Sequence, residues 1–101
     1  MNFSEIVNYI NSPTKYGKIA IDTHKDVNKI RCLLTMLEQK TPVLWDEGSL
    51  PTDVHIEPWS YILLVFTYKG VVLRYNSTYM HYKHIFDVDR IINTCSIYRE
   101  V

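Results

Sequence analysis

Glycine, cysteine and unbalanced charge are all scarce in this chain, and each shortage closes off a class of function. The three glycines, Gly17, Gly48 and Gly70, stand alone, so no glycine-rich loop is available to cradle a phosphate. Cys32 and Cys95 are the two cysteines, far apart and without metal-type spacing. A disulfide framework and a zinc ribbon are therefore not expected, and both thiols are expected reduced and mostly buried. Eleven basic residues balance eleven acidic ones. Bulk nucleic-acid binding draws its affinity from a basic excess, so it is not expected, and the acidic excess of a DNA mimic is missing too. The longest apolar run, Tyr61 to Phe66, is far too short to cross a bilayer and suits a buried strand. The opening residues Met1 to Ile6 lack a basic stretch followed by an apolar core. No secretion leader is expected there, and a cytoplasmic location with no membrane partner follows as the expectation.

What remains is ordinary globular material: 47% hydrophobic and 22% charged over 101 residues, which predicts a single domain over 1–101. Phe3, Ile6, Val7 and Ile10 recur at helical spacing and predict a short helix over 3–11. Ile19 and Ile21 alternate with Lys18 and Ala20, which predicts a strand over 17–22. Thr23 followed by Asp26 reads as a helix start, with Thr23 as the cap. Val27, Ile30, Leu34 and Leu37 then form the stripe of the main helix, over 24–39. Residues 40–58 hold three of the four prolines and read as a loop region. Val43 to Trp45 and Val54 with Ile56 imply short strands near 43–45 and 53–56.

Residues 59–76 carry two β-rich runs, 59–68 and 71–76, around a two-residue turn at Lys69-Gly70. In that register Tyr68 pairs with Val71, Phe66 with Leu73 and Leu64 with Tyr75, giving one wholly apolar face. The other face is partly apolar and carries Arg74. Phe86, Ile91, Ile92 and Cys95 predict a short helix over 87–95.

The order of these features resembles a loose group of small α+β proteins encoded by phages and prophages. The resemblance covers about residues 17–93 and rests on the leucine-rich helix, Trp45-Asp46-Glu47-Gly48, Trp59, the hairpin with Gly70, Tyr79-x-x-Tyr82 and the Ile-Phe-plus-acid segment at Ile85 to Asp89. It implies an accessory viral protein that binds and interferes with a host system, and it brings no single biochemical activity.

Candidate chemistry is thin. His81 and His84 lack the further ligands a metal site needs, so no metal is expected. Cys32 sits among apolar helix neighbours rather than in an electropositive setting. The acid pairs Asp46-Glu47 and Asp87-x-Asp89 read as solvated groups or helix-dipole partners. No nucleophile–base–orienter set is evident, so neither catalytic residues nor a cofactor are expected. The sharpest feature is an aromatic and basic cluster, Arg74, Tyr75, Tyr79, His81, Tyr82, Lys83 and His84, with Trp45 and Trp59 as further candidates. Aromatic faces with Arg or Lys suit a nucleotide or a protein hot spot equally. The plainer alternative is tyrosines closing the core with only their hydroxyls wet.

The expected architecture is two-layer α+β, with the main helix on an antiparallel sheet and short helices at the termini. The partly apolar second face implies a covering loop or a homodimer contact. The first functional expectation is an inhibitor that binds a host defence protein stoichiometrically. The second is a protein that sequesters a nucleotide or nucleotide-derived signal. A DNA-binding regulator or small enzyme ranks last.

Overall fold

A computed structural model describes residues 2–13, 18–77, 82 and 84–94. Helix α1 spans Phe3–Asn11. Asn2 starts it: its side chain accepts from the Glu5 amide while the Glu5 carboxylate accepts from the Asn2 amide, a reciprocal cap. Strand β1 (Lys18–Asp22) leads to the main helix α2 (Val27–Lys40). Its cap is Asp26, whose carboxylate accepts from the amides of Asn28 and Lys29. The expected start at Thr23 is thus displaced by three residues, because Thr23 is buried with its hydroxyl donated to the Ser60 carbonyl. His24 and Lys25 between them take left-handed backbone conformations, φ 56° and 55°.

Strand β2 is only Leu44–Trp45, and the next element is a 3-10 turn over Pro51–Asp53. The strand expected near 53–56 does not form. The hairpin is β3 (Tyr61–Thr67) with β4 (Gly70–Asn76). Thr67 pairs with Gly70, Phe66 with Val71 and Leu64 with Leu73. The turn residues are therefore Tyr68 and Lys69, and Gly70 (φ 95°) closes the turn from within β4. Thr67 favours this geometry by donating its hydroxyl to the Gly70 carbonyl and accepting from the Lys69 amide. The register differs from the expected one by two residues. A shift of two preserves which side each residue faces, so the assignment of faces stands although the pairs do not. Strand β5 (Ile85–Asp87) runs straight into helix α3 (Val88–Asn93).

The sheet order is β2-β4-β3-β1-β5. It is mixed rather than antiparallel: β5 runs parallel to β1, and β2 parallel to β4. Strand β1 lies between β3 and β5, which explains why Ile19, Ala20 and Ile21 are all fully buried. One face of the sheet packs under the helices. Ile19, Ile21, Ile62, Leu64 and Leu73 meet Ile6 of α1, Ile30, Leu33, Leu34 and Leu37 of α2, and Val88 and Ile91 of α3 in one core. The opposite face is also covered within the chain. Ala20, Leu63, Val65 and Val72 are buried there, with Tyr61 and Tyr82 packed against them. Cys32 is partly buried on α2 and uncrosslinked. Cys95 lies outside the described residues. Among the described residues no helix is long and apolar enough to cross a membrane.

Candidate functional site

Among the described residues, the members of the aromatic and basic cluster read from the sequence stand at several places on the sheet. Arg74, Tyr75 and Trp45 come together on the β2 side of the sheet. Tyr82 packs with Ala20, Leu63, Val65 and Val72 on the face away from Trp45 and Tyr75, with Lys18 Nζ 5.8 Å from its ring centre. His84 stacks on Phe86 at β5, ring centres 6.4 Å apart, while its carbonyl accepts from the Ala20 amide. Trp59 stands at the far end of the sheet, 57% exposed. Tyr79, His81 and Lys83 lie outside the described residues.

The β2 side is built by the segment Trp45 to Gly48. The Gly48 amide donates to the Trp45 carbonyl, and Gly48 takes φ 101°. This is a tight turn that glycine makes without strain. Trp45 is buried, donates its indole N–H to the Pro51 carbonyl at 3.0 Å, and sits 4.6 Å from the Tyr75 ring centre. Burial pushes the Tyr75 phenol above its ordinary pKa, partly offset by the Glu57 backbone. The spaced Trp and Gly therefore hold the 40–58 region on the sheet, as does Glu38, which accepts from the Thr52 amide and hydroxyl. These two bonds hold the Glu38 carboxyl below its usual range.

Asp46 projects from that turn as a hub. Its carboxylate accepts from Arg74 Nε at 3.1 Å and Nη2 at 3.0 Å, and Lys69 Nζ donates to its carbonyl at 3.0 Å. The hairpin tip is thereby tied to the Trp45 turn. Two grooves flank this tie, about 410 Å³ beside Arg74 and Tyr75 and about 200 Å³ beside Leu44 and Val72. Beyond them the tip presents Tyr68, 94% exposed, and Phe66, 51% exposed.

The other end of the sheet holds a cluster that sequence reasoning missed. Asp22 closes β1 and pairs with Asp87, which closes β5. Because those strands run parallel, residues two positions beyond each end come together. His24 Nε2 bonds Asp87 Oδ1 and lies 3.8 Å from Asp89 Oδ2, while Lys29 Nζ lies 2.9 Å from Asp89 Oδ1. Asp87 Oδ2 meanwhile caps α3, accepting from the Asp89 and Arg90 amides. Burial pulls the Asp87 carboxyl upward, but the hydrogen bond and charge of His24 with the two amides outweigh it, and its pKa falls below the usual value. The Asp89 hydrogen bond, against desolvation and with the charges of Asp89, Asp26 and Asp87, raises the Lys29 pKa. A cavity of about 330 Å³ adjoins His24, lined also by Lys25, Trp59 and Tyr61. The one signal in the sequence was Asp87-x-Asp89. Its partner is 63 residues away, and no local pattern announces it.

No protein-family model matches this chain, and comparison with curated proteins and with solved structures finds no match either.

Proposed function

We propose that this protein is a non-catalytic binding protein that acts by stoichiometric contact with another protein, with the hairpin tip as its contact surface. The observation that carries this reading is Tyr68, almost wholly solvated beside the half-exposed Phe66. The turn requires Gly70 and uses Thr67; the Tyr68 ring meets the Lys69 ammonium, 5.7 Å from its centre, and still remains 94% exposed. Solvated aromatics gain little for the fold and are the side chains that dominate protein hot spots. The tip is also preorganised, since Lys69 is pinned to Asp46, which lowers the ordering cost of association. With the phage-type resemblance, the partner is a host protein, a defence factor first among them, met in the host cytoplasm.

The nucleotide-sequestering alternative has less support, because Arg74 is engaged by Asp46 and the Trp45 ring is taken up by Tyr75. Affinity capture from host lysate tests the choice. The wild-type bait should retain a protein in near-stoichiometric amount, Phe66→Ser/Tyr68→Ser should lose it, and Trp59→Ala should keep it. Equal recovery by the wild type and the folded double variant would sink the reading. A rise in melting temperature with a nucleotide, unchanged in that double variant, would favour the alternative.

A further inference from the structure

We propose that His24, Asp87 and Asp89 form a binding site for a divalent first-row transition cation. One imidazole nitrogen and one oxygen from each carboxylate all lie within 4.8 Å of one another. In a first-row site the ligand atoms stand about 2.1 Å from the ion, which places neighbouring ligands about 3 Å apart. Nitrogen with two carboxylate oxygens suits Mn²⁺, Fe²⁺ or Zn²⁺ better than Mg²⁺, which prefers an all-oxygen shell.

The supports behind the donors are those of a ligand set. Asp87 commits Oδ2 to the amides of Asp89 and Arg90, which fixes the carboxylate and leaves Oδ1 facing His24. The segment bearing His24 is pinned on both sides: Thr23 donates to Ser60, and the His24 amide donates to Asp22. Such outer contacts orient metal ligands. The left-handed conformations of His24 and Lys25 turn the imidazole towards β5. Three protein donors leave further coordination positions for water or an oxygen ligand, and the cavity lined by His24 and Trp59 adjoins them. Lys29 is the internal rival, since it already occupies Asp89. It acts as a resident cation that an incoming metal must share or displace. This site lies at the opposite end of the sheet from the hairpin tip and does not depend on the protein-binding reading.

The test is Mn²⁺ titration of the EDTA-treated, dialysed protein, following the electron paramagnetic resonance signal of the free ion. One saturable site per chain is expected. His24→Ala and Asp89→Asn should each weaken it at least tenfold, Asp53→Asn should not change it, and Lys29→Gln should tighten it several-fold by freeing Asp89. Circular dichroism in EDTA confirms that each variant is folded. The Lys29→Gln gain keeps the test decisive if a loss-of-ligand variant unfolds. Unsaturable binding, binding indifferent to His24→Ala and Asp89→Asn, or no tightening in Lys29→Gln would each overturn the proposal and leave an ion-pair cluster only.

Discussion

The two tryptophans should separate cleanly, and their separation tests the anchoring role given to the Trp45 turn. Trp45 is 5% exposed, packs in the main core and donates its indole N–H to the Pro51 carbonyl. Truncating a buried aromatic of this size costs about 3–5 kcal/mol. Domains of this kind have only about 5–15 kcal/mol in total, so Trp45→Ala should be marginal or unfolded at room temperature. Trp45→Phe is the gentler change. It keeps most of the apolar volume but leaves the Pro51 carbonyl without its donor, which costs about 1–3 kcal/mol. Trp59, more than half exposed, should cost under about 0.5 kcal/mol on change to Phe. Urea unfolding followed by far-ultraviolet circular dichroism measures these costs without using the deleted fluorophore. Acrylamide quenching then checks placement. The Trp59→Phe protein, with Trp45 as sole reporter, should be shielded and blue-shifted, and the Trp45→Phe protein should be quenched freely. Equal stability losses, or equal quenching, would show that Trp45 does not lock the 40–58 region to the sheet.

Other substitutions probe single features. Gly70→Ala meets open space but must hold φ 95°, so it should lose about 1–2 kcal/mol, and Gly70→Asn less, in the same urea assay. Lys25→Gly removes a left-handed strain and should raise stability by up to about 1 kcal/mol, read as a higher melting temperature. A double-mutant cycle on Arg74 and Asp46, each more than 40% exposed, should give a coupling no larger than about 1 kcal/mol that shrinks with added salt. On acidification, a carboxyl with a lowered folded pKa contributes stability above its unfolded value and loses it as pH falls through the folded one. Asp87 and Glu38 should therefore steepen the loss of stability below about pH 4, and His24→Ala should flatten the Asp87 share of that limb.

Much of the fold was legible because it is written in local patterns. Helix α1 and the body of α2 follow apolar spacing, and the two sides of the hairpin follow alternation, which survived a turn misplaced by one residue and the two-residue change of register it brings. The turn itself was ambiguous because glycine can occupy a turn or close it. The Thr67 side chain decided between these by bonding on both sides of Tyr68 and Lys69. Thr23 misled for a related reason: a good capping residue was consumed by Ser60, 37 positions away. Strand β2, two residues long, was expected near 43–45, but β5, three residues long, carries too few alternations to be read, and the parallel pairing of both with distant strands had no local signal. Arg74 and Tyr75 are neighbours in sequence, yet consecutive strand residues point to opposite faces, so among the described residues proximity along the chain did not make a surface.

The same parallel pairings that hid the edges also create the chemistry at them. At one end, β2 beside β4 sets Trp45 against Leu73, and the turn leaving β2 delivers Asp46 to Arg74 and Lys69. At the other, β1 beside β5 sets Asp22 against Asp87, and the chains leaving them deliver His24 to Asp87 and Asp89. In an antiparallel pair one strand would enter where the other leaves. At β1 and β5 the two outgoing chains meet because the strands run in step, and ligand sites favour that carboxyl end of parallel strands. The antiparallel centre, β3 with β4 and β1, supplies the core, and its β3–β4 hairpin gives the Asp46 cluster both Arg74 and Lys69. The His24 cluster gathers where the parallel strands β1 and β5 end, and the Asp46 cluster where the turn after β2 meets the β3–β4 hairpin.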